Sequence, residues 1–276
     1  MSELAFLDRM AAASRARVRV EQARVSENTL AAAARNAPPP PQLALGVFDI
    51  IAEVKLHSPA VGALGSAAFD LQRQVEAYAR AGACAVSVLT EPAEFKGSLE
   101  HLRAAAAYLA PLRCPVMRKD FLTEPYQVLE ARVAGASGVL LIATMLDDQQ
   151  LTALLDCARE QGLFVLLEAF DRDDLARIAR LPLTGFRQPV LVGLNCRDLK
   201  SLKIDFSRFA ELAPSLPAGL PAVAESGVQS TADVASIVDL GFRLALVGSA
   251  LMRAGDAATA TLTRFIATGR ATAKAM

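Results

Sequence analysis

Hydrophobic and polar positions fall into two regimes along this chain. Over residues 1–36, Arg and Glu alternate with Ala, Leu and Val at helical spacing, as in residues 15–21 (RARVRVE). That spacing predicts one or two exposed helices. A run of prolines at 38–41 then stops any helix and acts as a stiff connector. From residue 46 short apolar runs recur at 50–54, 85–89, 116–118, 138–142, 164–167, 190–194, 222–224 and 244–247. Helix-period segments lie between and after them, at 71–80, 99–109, 126–134, 148–160, 171–179, 206–212, 231–240 and 255–268.

Apolar runs with little alternation indicate strands covered on both faces, hence a parallel sheet wrapped by helices. Three helix exits share one phrase, residues 81–83 (AGA), 134–136 (AGA) and 240–242 (LGF). In each the glycine suits a left-handed helix C-cap before the next strand. Eight strand–helix units point to the α/β class, and within it to a (β/α)8 TIM barrel with an N-terminal helical extension. The expected division is 1–45 for the extension and connector and 46–276 for the barrel. No glycine-rich dinucleotide fingerprint follows the first strand, which counts against an open nucleotide-binding sheet.

Composition narrows the chemistry. The 276 residues can bury one large core. The 29 basic and 29 acidic residues balance, so no basic excess argues for nucleic acid or an anionic membrane. An anionic ligand must therefore be held by local groups. Cys84, Cys114, Cys157 and Cys196 form no paired motif, so neither a disulfide framework nor a metal site is expected. No long apolar span or leader is visible, and the expected setting is cytoplasmic.

The strand ends carry the candidate chemistry. In a barrel they converge on one mouth. Glu53 and Lys55 close the first strand, Lys119 the third, Glu168 the fifth, Asn195 and Arg197 the sixth, and Glu225 and Ser226 the seventh. Any one of these could be a solvated loop residue or half of a structural ion pair. The pattern repeats on five strands, however, and charge inside apolar runs is destabilising unless it is used. Ser226 and Gly227 after strand seven, with Gly248 and Ser249 after strand eight, suit phosphate bound by backbone amides. Carboxylates and ammonium groups in one mouth support proton transfer at a carbonyl or enol of a sugar phosphate. Of the histidines, His101 reads as a surface residue and His57 as a loop residue.

Residues 51–59 (IAEVKLHSP), 115–121 (PVMRKDF), 167–168 (LE), 193–199 (GLNCRDL), 225–227 (ESG) and 247–253 (VGSALMR), in this order, resemble the indole-3-glycerol phosphate synthase family of tryptophan biosynthesis. The resemblance implies a carboxy-lyase that closes the indole ring of 1-(2-carboxyphenylamino)-1-deoxyribulose 5-phosphate with loss of CO2 and water. It implies a small phosphorylated substrate, no cofactor and no metal, and a monomer is the expected state. By motif, Lys119 would be the general acid for ring closure, with Glu53 and Lys55 partners in the dehydration. Glu168 and Asn195 would orient and stabilise charge, and Glu225 would support the lysines. Ser58, Ser226, Gly227, Gly248 and Ser249 would hold phosphate. Phe95, Phe121, Leu140, Leu199 and Leu202 would wall the aromatic ring, and Arg197 would steer its carboxylate.

Departures from that pattern bear on substrate detail. Ala60 and Val61 stand where polar residues are usual, Cys196 replaces Asn or Ser, and the chain has no Trp. A relative acting on a modified anthranilate, or one that binds without catalysis, fits these changes. Phosphoribosylanthranilate isomerase and the tryptophan synthase α chain share such phosphate loops. The isomerase would need a Cys and Asp pair and would leave Glu53, Lys55 and Lys119 without a role.

Overall fold

A computed structural model describes residues 3–58, 62–63, 69–197 and 203–275. Two helices come first, α1 (Glu3–Arg24) and α2 (Glu27–Asn36). Strand β1 (Asp49–Val54) follows, and then α3 (Leu71–Arg80), β2 (Ala85–Leu89), α4 (Leu99–Leu109), β3 (Val116–Lys119) and α5 (Pro125–Val133). The chain continues through β4 (Gly138–Ile142), α6 (Asp148–Glu160), β5 (Phe164–Ala169), α7 (Arg172–Ile178), β6 (Val190–Asn195) and α8 (Ser207–Leu212). It ends with β7 (Ala222–Glu225), α9 (Thr231–Asp239), β8 (Leu244–Val247), α10 (Ser249–Ala254) and α11 (Ala258–Ala275). Each strand pairs in parallel with the next, and β8 pairs with β1 to close the barrel, as expected.

Strand side chains alternate in direction, and here both directions are apolar. Ile50, Ala52 and Val54 on β1 join Val86, Val88, Val139, Leu141, Val165 and Leu167 in the layer beneath the helices. Ile51, Ala85, Met117, Leu140, Phe164, Leu166, Leu191, Val223 and Leu244 fill the barrel itself. The apolar runs in the sequence are therefore two interleaved cores. Gly82, Gly135 and Gly241, at the three helix exits, have φ of 95°, 89° and 92° and act as the expected left-handed caps.

Two expectations need correction. The N-terminal helices are not simply exposed. Leu7, Met10, Ala11, Ser14 and Val18 of α1 are buried, and Leu7 and Met10 belong to the barrel-interior cluster. Leu30 and Ala34 of α2 pack with Val18, Tyr126 and Leu129. A narrow stripe of Ala, Leu and Met among many Arg residues suffices for docking because the partner surface is already apolar. The last helix also differs from the expected 255–268. A first turn-and-a-half, α10, begins directly after β8, breaks at Gly255 (φ 52°), and α11 resumes to Ala275. Among the described residues no helix is long and apolar enough to cross a membrane.

Candidate active site

The inward-facing residues change character at the C-terminal strand ends. Deep in the barrel they are Ile51, Met117, Leu166 and Val223; one step toward the mouth they become Glu53, Lys119, Glu168 and Glu225. Parallel register places Lys119 beside Leu89, Glu168 beside Ile142 and Gly193, and Asn195 beside Glu225. Residues spread over most of the sequence thus line one cavity of about 350 Å³. That is a volume suited to a small organic ligand.

Charge in the cavity is arranged as a cluster. Lys55 Nζ lies 2.9 Å from Glu53 Oε1. Lys119 Nζ lies 3.9 Å from Glu168 Oε2 and 4.0 Å from Glu225 Oε2. Asn195 Nδ2 donates to Glu168 Oε1 at 2.6 Å, and its Oδ1 accepts from the Arg197 backbone N–H at 3.1 Å. Burial alone draws the Lys119 ammonium down, but Glu168, Glu225 and Glu53 outweigh it against Arg197 and hold its pKa above the ordinary lysine value. Glu225 is pushed well above the carboxylate range by burial, then by Glu168, with Lys119 opposing and Glu53 adding. Both Glu225 oxygens and Glu168 Oε2 are buried and have no hydrogen-bond partner among the described residues. Unpartnered acceptors are costly in a core and are suited to meeting a ligand's donors.

Two glycines make this packing possible. A Cβ on Gly193 would collide with Glu225 Oε1, and one on Gly248 with Glu53 Oε1. Glycine inside or just after a strand is the available sign of such close approach. In the sequence Gly248 suits phosphate binding, and nothing else in the local pattern marks Gly193. In the same cavity lining Ser226 and Gly227 take φ of 66° and 78°. A serine held in the left-handed region stores about 1 kcal/mol or more, and such strain clusters at ligand clamps. Gly248 and Ser249 line the cavity at the start of α10.

Phe95, Phe121, Leu140 and Arg197 line the same cavity, as do Glu53, Lys55, Lys119, Glu168, Asn195 and Glu225. Phe121 and Leu140 also belong to the barrel-interior core, so each serves packing and pocket together. Leu199 and Leu202 lie outside the described residues, as does the side chain of Ser58. His57 is held through Nδ1 by the Glu94 carbonyl oxygen at 2.7 Å. Cys196 is buried and its thiol is pushed up to about 12, mainly by burial, so it is an inert neighbour of Asn195. The cavity also includes Phe6 and Leu7 of α1, and Gln229 and Arg253. Nothing in local pattern marked Phe6 and Leu7, which reach the mouth only because α1 folds across it. Among the described residues no group of three or more His, Cys, Asp or Glu is arranged to hold a metal ion.

Comparison with known proteins agrees with the motifs. The family model for indole-3-glycerol phosphate synthase matches residues 7–263. The indole-3-glycerol phosphate synthase of Mycobacterium tuberculosis (strain CDC 1551 / Oshkosh) is 38% identical over 260 residues, covering 93% of this chain and 92% of that protein. The protein of the same name from Mycobacterium avium (strain 104) is 37% identical with the same coverage. Among solved structures, thiamine phosphate pyrophosphorylase from Pyrococcus furiosus superposes with a TM-score of 0.55 at 12% identity, over 83% of this chain and 96% of that one, a likeness of fold. By the extent of the family match and the near-complete alignment with these relatives, the chain belongs to the indole-3-glycerol phosphate synthase family.

Proposed function

We propose that this chain is an indole-3-glycerol phosphate synthase, a carboxy-lyase of tryptophan biosynthesis acting on 1-(2-carboxyphenylamino)-1-deoxyribulose 5-phosphate. The observation that carries the reading is the Lys119 ammonium, 3.9 and 4.0 Å from two buried carboxyl groups in a cavity that also holds an apolar wall and a glycine–serine cradle. The cradle of Ser226, Gly227, Gly248 and Ser249 receives the phosphate through backbone N–H groups and hydroxyls. Phe95, Phe121 and Leu140, with Leu199 and Leu202, wall the anthranilate ring, and Ser58 joins the groups that hold phosphate. Arg197 steers the ring carboxylate. Fixing both ends of a flexible molecule brings the ring carbon that bears the carboxylate close to the ribulose carbonyl, which favours closure.

The chemistry then follows the charges. The ring carbon attacks the carbonyl carbon, forming the new C–C bond, while Lys119 gives a proton to the carbonyl oxygen. Loss of CO2 restores the aromatic ring. Glu53 and Lys55, already 2.9 Å apart, serve as the proton-transfer pair for loss of the new hydroxyl as water. Glu168 and Asn195 orient the reacting hydroxyls, and Glu225 tunes the ammonium. Pre-aimed charges of this kind lower the barrier without reorganising during the reaction. The enzyme works as a monomer in the cytoplasm. The test is an indole-forming assay: purified protein given the carboxyphenylamino-deoxyribulose phosphate should yield a product with indole absorbance and release CO2. Absence of both overturns the reading.

A further inference from the structure

Arg17 of α1 sits above the cavity without lining it. Its guanidinium lies 2.9 Å from Asp120 Oδ1 and 3.6 Å from Glu91 Oε1. The carboxylates of Asp120 and Glu91 are 1% and 0% exposed, and each organises a different stretch of the rim. Asp120 follows Lys119, and its Oδ1 also accepts the backbone N–H of Phe121 at 2.8 Å. Glu91 follows β2, and its carboxylate accepts the backbone N–H groups of Ala93, Glu94 and Phe95 at 2.9, 2.7 and 3.1 Å. These two turns carry the rings of Phe95 and Phe121, whose centroids are 6.1 Å apart in the cavity wall. The same helix adds the Ser14 hydroxyl, donating to the Phe121 carbonyl at 2.5 Å, and the Phe6 ring, edge-on to Phe121 at 5.9 Å.

Local partners already meet much of what either carboxylate requires. Asp120 Oδ2 accepts from Thr90 Oγ1 at 2.8 Å and from Arg118 at 3.2 Å, and Glu91 has its three amides. What Arg17 adds is a link between the two, and a planar guanidinium with several donors is the side chain that can span both. We propose that Arg17 is a positioning residue: by joining Glu91 to Asp120 it sets the spacing of Phe95 and Phe121, and so the grip on the anthranilate ring, without touching substrate. The ring's identity rests on the proposed function; the link itself does not.

The experiment compares wild type, Arg17→Gln and Arg17→Lys with two probes. The first is 2-(methylamino)benzoate, an anthranilate ring without the sugar, whose own fluorescence reports binding. The second is inorganic phosphate, titrated by its effect on thermal unfolding. Arg17→Gln is expected to weaken the ring probe about tenfold, a size suited to a small misplacement of a binding wall, with phosphate affinity unchanged. Arg17→Lys, which keeps the charge but loses the fork, should fall between. In the indole assay the loss should appear in KM more than in kcat. Ring-probe affinity equal to wild type in Arg17→Gln overturns the proposal, and so does equal weakening of both probes, which marks a general loss of structure. If circular dichroism shows Arg17→Gln unfolded, the Arg17→Lys titrations decide by the same criteria. A wild-type protein that forms no indole overturns the proposed function, and the ring-probe comparison still decides the role of Arg17.

Discussion

The carboxyl groups of Glu53, Glu168 and Glu225 face the ammonium groups of Lys55 and Lys119 inside the mouth. Glu53 has Lys55 at 2.9 Å and Glu168 has Asn195 at 2.6 Å, whereas Glu225 accepts no hydrogen bond among the described residues. The pKa of Glu225 is driven up, first by burial and then by Glu168. The unfolded chain loses this proton near the ordinary glutamate value, while the folded protein keeps it to higher pH. The stability this contributes is full below the unfolded value and is lost as pH rises through the folded one. Glu225→Gln mimics the protonated form. It is expected to raise the unfolding temperature above wild type at about pH 8, with the gain fading below the ordinary glutamate range. A difference independent of pH would remove the titration argument. Lys119, with its pKa raised, stays an ammonium at neutral pH, so its proton is in place although the shift makes it a weaker acid. Lys119→Ala should lower kcat by about 100-fold or more with circular dichroism unchanged, and activity near wild type would take Lys119 out of the mechanism.

At the scale of elements, the barrel strands were legible because their apolar runs are bounded by turns and separated by helix-period segments. Their ends were less so. Strands β3, β5, β6 and β7 each extend past the apolar run to include Lys119, Glu168, Asn195 or Glu225, since ladder hydrogen bonds continue regardless of side-chain polarity. The start of β4 is another feature decided by packing: a Cβ on Gly138 would meet the Phe164 ring on β5. Gly138→Ala is therefore expected to destabilise the protein by about 1–3 kcal/mol, as an overpacked interior does. The urea midpoint should fall with little change in slope; an unchanged midpoint would mean the ring has room to move. The buried stripe of α1 and the whole of α10 are not visible in the periodicity, for different reasons. The buried stripe of α1 is masked by its many arginines, and α10 is too short to show a period.

For the molecule as a whole, the proposed phosphate cradle is the part with a direct thermodynamic signature. A ligand that binds only the folded state stabilises it by about 2.7 kcal/mol at 100 times its dissociation constant. Inorganic phosphate is expected to raise the unfolding temperature saturably and to compete with substrate, and Ser249→Glu, which places a carboxylate in the cradle, should abolish the saturable part. A rise of equal size in that variant would assign the effect to surface exclusion instead. The amino-acid sequence alone determined the strand–helix alternation, the left-handed glycine exits and the identity of the rim residues, because these depend on local periodicity and on the chemistry of single side chains. It could not say that α1 turns back over the mouth, that Arg17 spans Glu91 and Asp120, or that Gly193 and Gly248 make room for two carboxylates. Those relations join residues far apart in the chain. Barrel closure and the docking of α1 bring them within reach, and only then do charge, burial and contact between them acquire a sign.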